Sequence, residues 1–79
     1  MDYVTIIGVL GAAIILIAFL ANQFGKLTAE SRLYDGLNFF GALLLVVYAY
    51  LLESYPFLVL NLVWMCSALW DLLKSILKT

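Results

Sequence analysis

Seventy-nine residues, 67% of them hydrophobic and 11% charged, fall outside the range of water-soluble domains, in which about a quarter of residues carry charge. Four basic and five acidic side chains leave a net charge of -1, which excludes the basic stripe that nucleic-acid binding needs. With no histidine and one cysteine, Cys66, neither a metal-ligand cluster nor an intrachain disulfide can be assembled, and Cys66 is expected to serve as a small buried hydrophobe.

The first predicted element is Val4 to Ala21, "VTIIGVLGAAIILIAFLA", which carries no charge. At about 1.5 Å per residue it reaches about 27 Å, close to the thickness of a bilayer's hydrocarbon layer. The chain opens Met-Asp-Tyr, with an acid and no Lys or Arg, so the span is expected to be retained rather than removed as a secretory leader. Gly8, Gly11, Ala12 and Ala18 would let another backbone approach closely, with Gly8 and Ala12 as a small-xxx-small pair. Packing within the chain and packing across a subunit interface both fit that pattern.

The connector "NQFGKLTAESR" follows. Gly25 is expected to end the first helix, and Thr28 to cap an early start of the second with Glu30 in its first turn. The second span is predicted at about 33–52 and the third at about 56–73, joined by "ESY". Pro56 suits a first helical turn, where its missing N–H has no intrahelical partner anyway, and Ser54 is a candidate cap. Length and freedom from charge argue for helices, because in lipid only a helix satisfies every backbone group within one segment. The expected fold is one all-α membrane domain over 1–79 with three transmembrane helices.

Lys26 and Arg32 lie in the first connector and Lys74 and Lys78 in the tail, which three spans place on one side. The positive-inside rule then puts the amino terminus outside and the carboxyl terminus in the cytoplasm, for a multi-pass protein of the bacterial inner membrane. Tyr3, Tyr50 and Tyr55 would form the outer aromatic belt, and Phe24, Tyr34 and Trp70 the inner one.

Polar residues inside the spans carry the functional reading. Tyr34, Asn38, Gly41, Leu45 and Tyr48 recur on one stripe of the second span, and Asn61, Trp64, Ala68 and Asp71 on one stripe of the third. Asn61 lies too deep to be hydrated by bulk water and has to face protein or a wet cavity. A contact with a neighbouring helix would satisfy it as well as a solute would. Asp35 and Asp71 each lie three residues from a basic residue, Arg32 and Lys74, and are expected to form exposed pairs. An amide, an indole and a phenol on adjacent helices suit small neutral polyols or sugars, which need hydrogen bonds and a stacking face but no fixed charge.

Two family resemblances extend this. "FGALLLVVYAYLLESYPFLVLNL", Phe40 to Leu62, resembles the half-length sugar transporters called SemiSWEETs, with Gly41, Tyr48, Pro56 and Asn61 at matching landmarks. The family's tryptophan on the second span falls at Leu45, and its Pro-Gln hinge at Ala21 and Asn22. The connector from Gly25 to Ser31 and the segment "LNFFGALLL", Leu37 to Leu45, are similar to the CBU-type three-span bacterial membrane proteins, a family without an established activity. The SemiSWEET resemblance implies a SemiSWEET-like three-helix bundle, a parallel homodimer and passage of a small neutral polar solute by alternating access. Substrate-binding residues would be Asn61, Tyr48, Asn38 and Trp64; hinge or helix-end positions would be Ala21, Asn22, Gly41 and Pro56. The alternative is a non-transporting helical subunit or regulator of a larger membrane complex. Neither reading needs a cofactor or a metal. The parts of an enzyme, a nucleophile–base set or paired mid-membrane carboxylates, are missing from the sequence.

Overall fold

The computed structural model describes residues 2–28 and 31–77. Three α-helices make up the fold: α1, Tyr3–Gln23; α2, Arg32–Leu51; and α3, Tyr55–Leu77. Each is long and apolar enough to cross a membrane. The observed bounds lie within two residues of the predicted ones except at the end of α3, which runs past Leu73 to Leu77. The expectation stopped just before Lys74, but Lys, Ile and Leu sustain a helix as readily as the residues before them.

Each helix end is closed locally. The carboxylate of Asp2 accepts the backbone N–H of Thr5 at 2.8 Å and caps α1. At the other end, Lys26 N–H donates to the Ala21 carbonyl at 2.8 Å and Gly25 N–H to Asn22 at 3.1 Å. Gly25 sits at φ 75°, the left-handed turn in which glycine has no Cβ to obstruct it. The expected helix stop at Gly25 is therefore met. Ser31, rather than Thr28, caps α2, its hydroxyl accepting Tyr34 N–H at 3.0 Å; Glu30 lies outside the described residues, as does Lys78.

The α2–α3 turn uses the same closing pattern without a glycine. Ser54 N–H donates to Ala49 and Glu53 N–H to Tyr50, both at 3.0 Å, with Glu53 at φ 56°. The Ser54 carbonyl then accepts Leu58 N–H at 2.8 Å, so one residue ends α2 and opens α3. Pro56 falls in the first turn of α3, as expected.

Among the described residues, α2 packs against both α1 and α3, while α1 and α3 do not approach each other. The helices form an open layer with α2 in the middle. Its core consists of small side chains: Ala18, Ala42 and Ala49 are fully buried and Ala68 nearly so, with no large side chain sealed inside. Gly11 and Gly41 mark the α1–α2 crossing. A Cβ on Gly11 would lie 2.9 Å from the Gly41 carbonyl oxygen, and one on Gly41 would lie 3.0 Å from that of Gly11. Near the other end of the seam the Tyr48 ring lies against Gly8, 2.6 Å from where its Cβ would be. Gly8 and Gly11 thus face α2 of the same chain, as the internal-packing reading expects, while Ala12 is exposed.

The large apolar side chains point outward, including Phe19, Phe57, Val63 and Leu77. Tyr3, Tyr50 and Tyr55 are exposed at one end, and Phe24 and Trp70 at the other. Tyr34 turns inward instead of joining them. Cys66 is exposed rather than buried; α3 has a single neighbour, so most of its circumference is left for lipid.

Replacing Gly11 by Ala forces a methyl against backbone and should cost about 1–3 kcal/mol of stability, read as the shift in unfolding during a denaturing-detergent titration. Gly36→Ala is the control: nothing lies within 4 Å of that Cβ, and no loss is expected. A second prediction concerns acid. Hydrogen bonds from Thr5, its backbone N–H foremost, hold the Asp2 carboxyl below its ordinary range. Its contribution is complete above the unfolded-state value and is lost as pH falls through the folded one. Hydrogen exchange in the first turn of α1 should therefore quicken, relative to the rest of α1, only on acidification below the ordinary carboxylate range, and Asp2→Ala should show the fast exchange already at neutral pH.

Candidate functional site

Helix α2 presents Tyr34, Asp35 and Asn38 on its first two turns, and α3 presents Trp64, Ser67, Ala68 and Asp71 over two turns opposite them. The two short connections make α2 and α3 antiparallel, so the start of one faces the end of the other. These seven residues line a groove of about 200 Å³, open on one side. No residue of α1 lines it.

The groove exists because the two seams of α2 differ. Toward α1, glycine and alanine let the backbones touch. Toward α3 the facing residues include a phenol and an indole beside the small Ala68. Asp35 and Asn38 are 7% and 8% exposed, whereas Trp64 is 52% exposed and stands at the open side. Asp71 lies at the rim, where Lys74 pairs with it at 3.8 Å and also sits 5.9 Å above the Trp70 ring. That exposed pair is the expected one. Asp35 differs from its expectation. It is buried, and Arg32, its expected partner, donates to the Ser75 carbonyl on α3 at 3.4 Å.

Of the four sequence-nominated binding residues, Asn38 and Trp64 meet in the groove; Asn61 and Tyr48 lie elsewhere. Asn61 is buried, and its amide donates to the Phe57 carbonyl one turn back on its own helix at 2.9 Å. Asn38 does the same with Tyr34 at 3.0 Å. Each amide lies six residues from the start of its own helix, and the two helices start at opposite ends. At about 1.5 Å per residue that sets them on the order of 10–15 Å apart along the layer. Tyr48 is occupied by packing on Gly8.

The helix-end and hinge positions are also placed. Ala21 and Asn22 form the last turn of α1: the Ala21 carbonyl accepts from Lys26 and Leu27, and the Asn22 amide donates to the Leu27 carbonyl at 2.9 Å. Asn22 therefore ties the connector down. Gly41 lies in mid-helix at the α1–α2 crossing rather than at an end.

The straight stripe on α2 divides between its two neighbours. Its steps of four and three average 3.5 residues, and over two heptads the drift from a true helical repeat is about 40°. Tyr34 and Asn38 meet α3, and Gly41 and Tyr48 meet α1. Of the other lining residues, Asp35 and Asp71 were expected as exposed pairs with neighbouring basic residues, and Ser67 was not singled out. The usable signal for Ser67 was its position three residues beyond Trp64 and four before Asp71, on the same face.

Residues 4–79 match the model of a protein family whose function is uncharacterised. The chain belongs to that family. Neither a curated protein nor a solved structure matches it. The chemistry of the groove is thus the available guide to what the family's fold does here: two carboxylates, an amide, a hydroxyl and two aromatic rings around a space smaller than a drug-sized pocket.

Because the Asn61 amide bonds only to its own helix, Asn61→Ala should cost no more than about 1 kcal/mol, less than Gly11→Ala in the same denaturing-detergent titration. A loss above about 2 kcal/mol would mean that this amide holds another helix or a buried water.

Proposed function

We propose that two copies of this chain form a parallel homodimeric half-transporter that binds a small polar solute in the α2–α3 groove and moves it by alternating exposure. The convergence of Asn38, Trp64, Tyr34, Ser67 and two carboxylates on one cavity carries this reading. Hydrogen-bonding groups beside aromatic faces bind small polar molecules, and a membrane-crossing helix pair gains nothing in packing from keeping them there. A second copy is required because a single open layer of three helices encloses no pathway across the bilayer. The amino terminus outside and the basic ends in the cytoplasm of a bacterial inner membrane follow from the charge distribution, which sets the groove in the cytoplasmic half. In a half-transporter of the SemiSWEET kind, the solute contacts would come from Asn38 and Trp64 in place of Asn61 and Tyr48.

A second reading, a non-transporting subunit of a larger membrane complex, is favoured by one observation. Both buried amides are satisfied by their own helices, and no sealed side-chain nitrogen or oxygen among the described residues lacks a partner. Neither amide therefore requires a wet central cavity.

Uptake into vesicles reconstituted with purified protein separates the two. For the carrier, Trp64→Ala and Asn38→Ala should each lower uptake at least tenfold, while Val63→Ala, on the exposed face of α3, leaves it unchanged. Absence of uptake for polyols, sugars, amino acids and amines, together with a stoichiometric partner copurifying from native membrane, would select the subunit.

A further inference from the structure

Asp35 is the polar residue in this fold that cannot satisfy itself. A buried amide such as Asn38 has hydrogens to donate to the carbonyl four residues back, and does so. An ionised carboxylate has none to give, and within a helix the backbone N–H groups beyond the first turn already have partners. Asp35 is 7% exposed; its carboxylate draws no hydrogen bond from the described residues, and since no sealed oxygen is left unpartnered, the surface it keeps opens on the groove. It lines the groove, between Tyr34 beside it and Trp64 across from it. A buried charge calls for an opposite charge. Lys74 is engaged with Asp71 at the rim and stands over Trp70, and Arg32 reaches the Ser75 carbonyl.

We infer that the α2–α3 groove binds a small organic cation, its ammonium group held by Asp35 and Asp71 against the faces of Trp64 and Tyr34. This rests on the groove being the solute site, and it changes the expected solute from a neutral to a cationic one. Carboxylates beside aromatic faces match an ammonium on both counts, charge and π-face attraction. A hard metal ion asks for six or more oxygens, and among the described residues no three His, Cys, Asp or Glu side chains gather. The volume of about 200 Å³ admits a molecule smaller than a drug-sized ligand.

The test uses full-length protein in lipid nanodiscs, with Trp70→Phe so that Trp64 is the sole indole. Choline and its neutral isostere 3,3-dimethylbutan-1-ol are titrated against Trp64 fluorescence. Choline should change the emission saturably, and the isostere should bind at least tenfold more weakly. Asp35→Asn should weaken choline at least tenfold. The rim variant Asp71→Asn should weaken it by a smaller factor of about two to five, since that carboxylate is solvent-accessible, and it serves if Asp35→Asn fails to fold. Equal binding of the two isosteres, no choline binding, or full choline affinity in both variants would overturn the inference; the last two would mark Asp35 as protonated and neutral in the fold. Choline binding without uptake leaves the inference standing and defeats the carrier. Polyol uptake without choline binding does the reverse.

Discussion

The close approach of α1 and α2 at Gly11 and Gly41 is the contact on which the rest of the structure depends. In lipid, apolar side chains gain nothing from leaving solvent for each other, so helix association has to come from packing. A backbone can be brought near another only where side chains are absent or small. The chain supplies Gly8, Gly11 and Ala18 on one helix and Gly41, Ala42 and Ala49 on the other, and these are the buried residues of the α1–α2 pair apart from Asp35 and Asn38. The bulky Leu, Ile, Phe and Val side chains are then left to the outside of the layer, where many of them are exposed.

That seam also explains why a groove opens on the other side of α2. Helix α3 packs on α2 along as much of its length as α1 does, but it brings only Asn61 and Ala68 as buried residues. Where α3 meets the first two turns of α2, Tyr34 and Trp64 line a groove together with the polar side chains of Asp35, Asn38, Ser67 and Asp71. The two faces of the central helix therefore differ in chemistry: glycine and alanine meet α1 at the crossing, and polar and aromatic side chains meet α3 toward the end bearing Arg32 and Lys74.

Most of the fold was legible in the sequence, because the bilayer imposes a length and a composition that few other constraints mimic. Three spans, the stop at Gly25, the start near Pro56 and the Asp71–Lys74 pair all follow from local rules. The candidate site was legible only in part. Asn38 and Trp64 were named from their stripes and meet in the groove, but a stripe does not say which neighbour it faces. With α2 in the middle, Gly41 and Tyr48 went to α1. No local rule reveals that α1 and α3 stay apart, and without that knowledge four polar landmarks appear to converge when they lie at two depths. Cys66 was misjudged for the same reason, since burial on α3 depends on how many neighbours it has.

Depth in the membrane is a weaker guide to function than the hydrogen-bonding capacity of the residue found there. Asn61 is as buried as Asp35, 6% against 7% exposed, yet the two stand in opposite positions. The amide can turn its N–H toward a carbonyl of its own helix, so its presence in a span needs no partner and implies no cavity. The carboxylate accepts only, and it draws no hydrogen bond from the described residues. Its charge must be met by a proton, by a cation of the protein or by a cation from outside. Lys74 pairs with Asp71 at the rim and Arg32 reaches the Ser75 carbonyl, so neither forms an ion pair with Asp35. A proton and a ligand are the other two ways to meet the charge, and the two aromatic rings that line the groove with Asp35 matter only to the second.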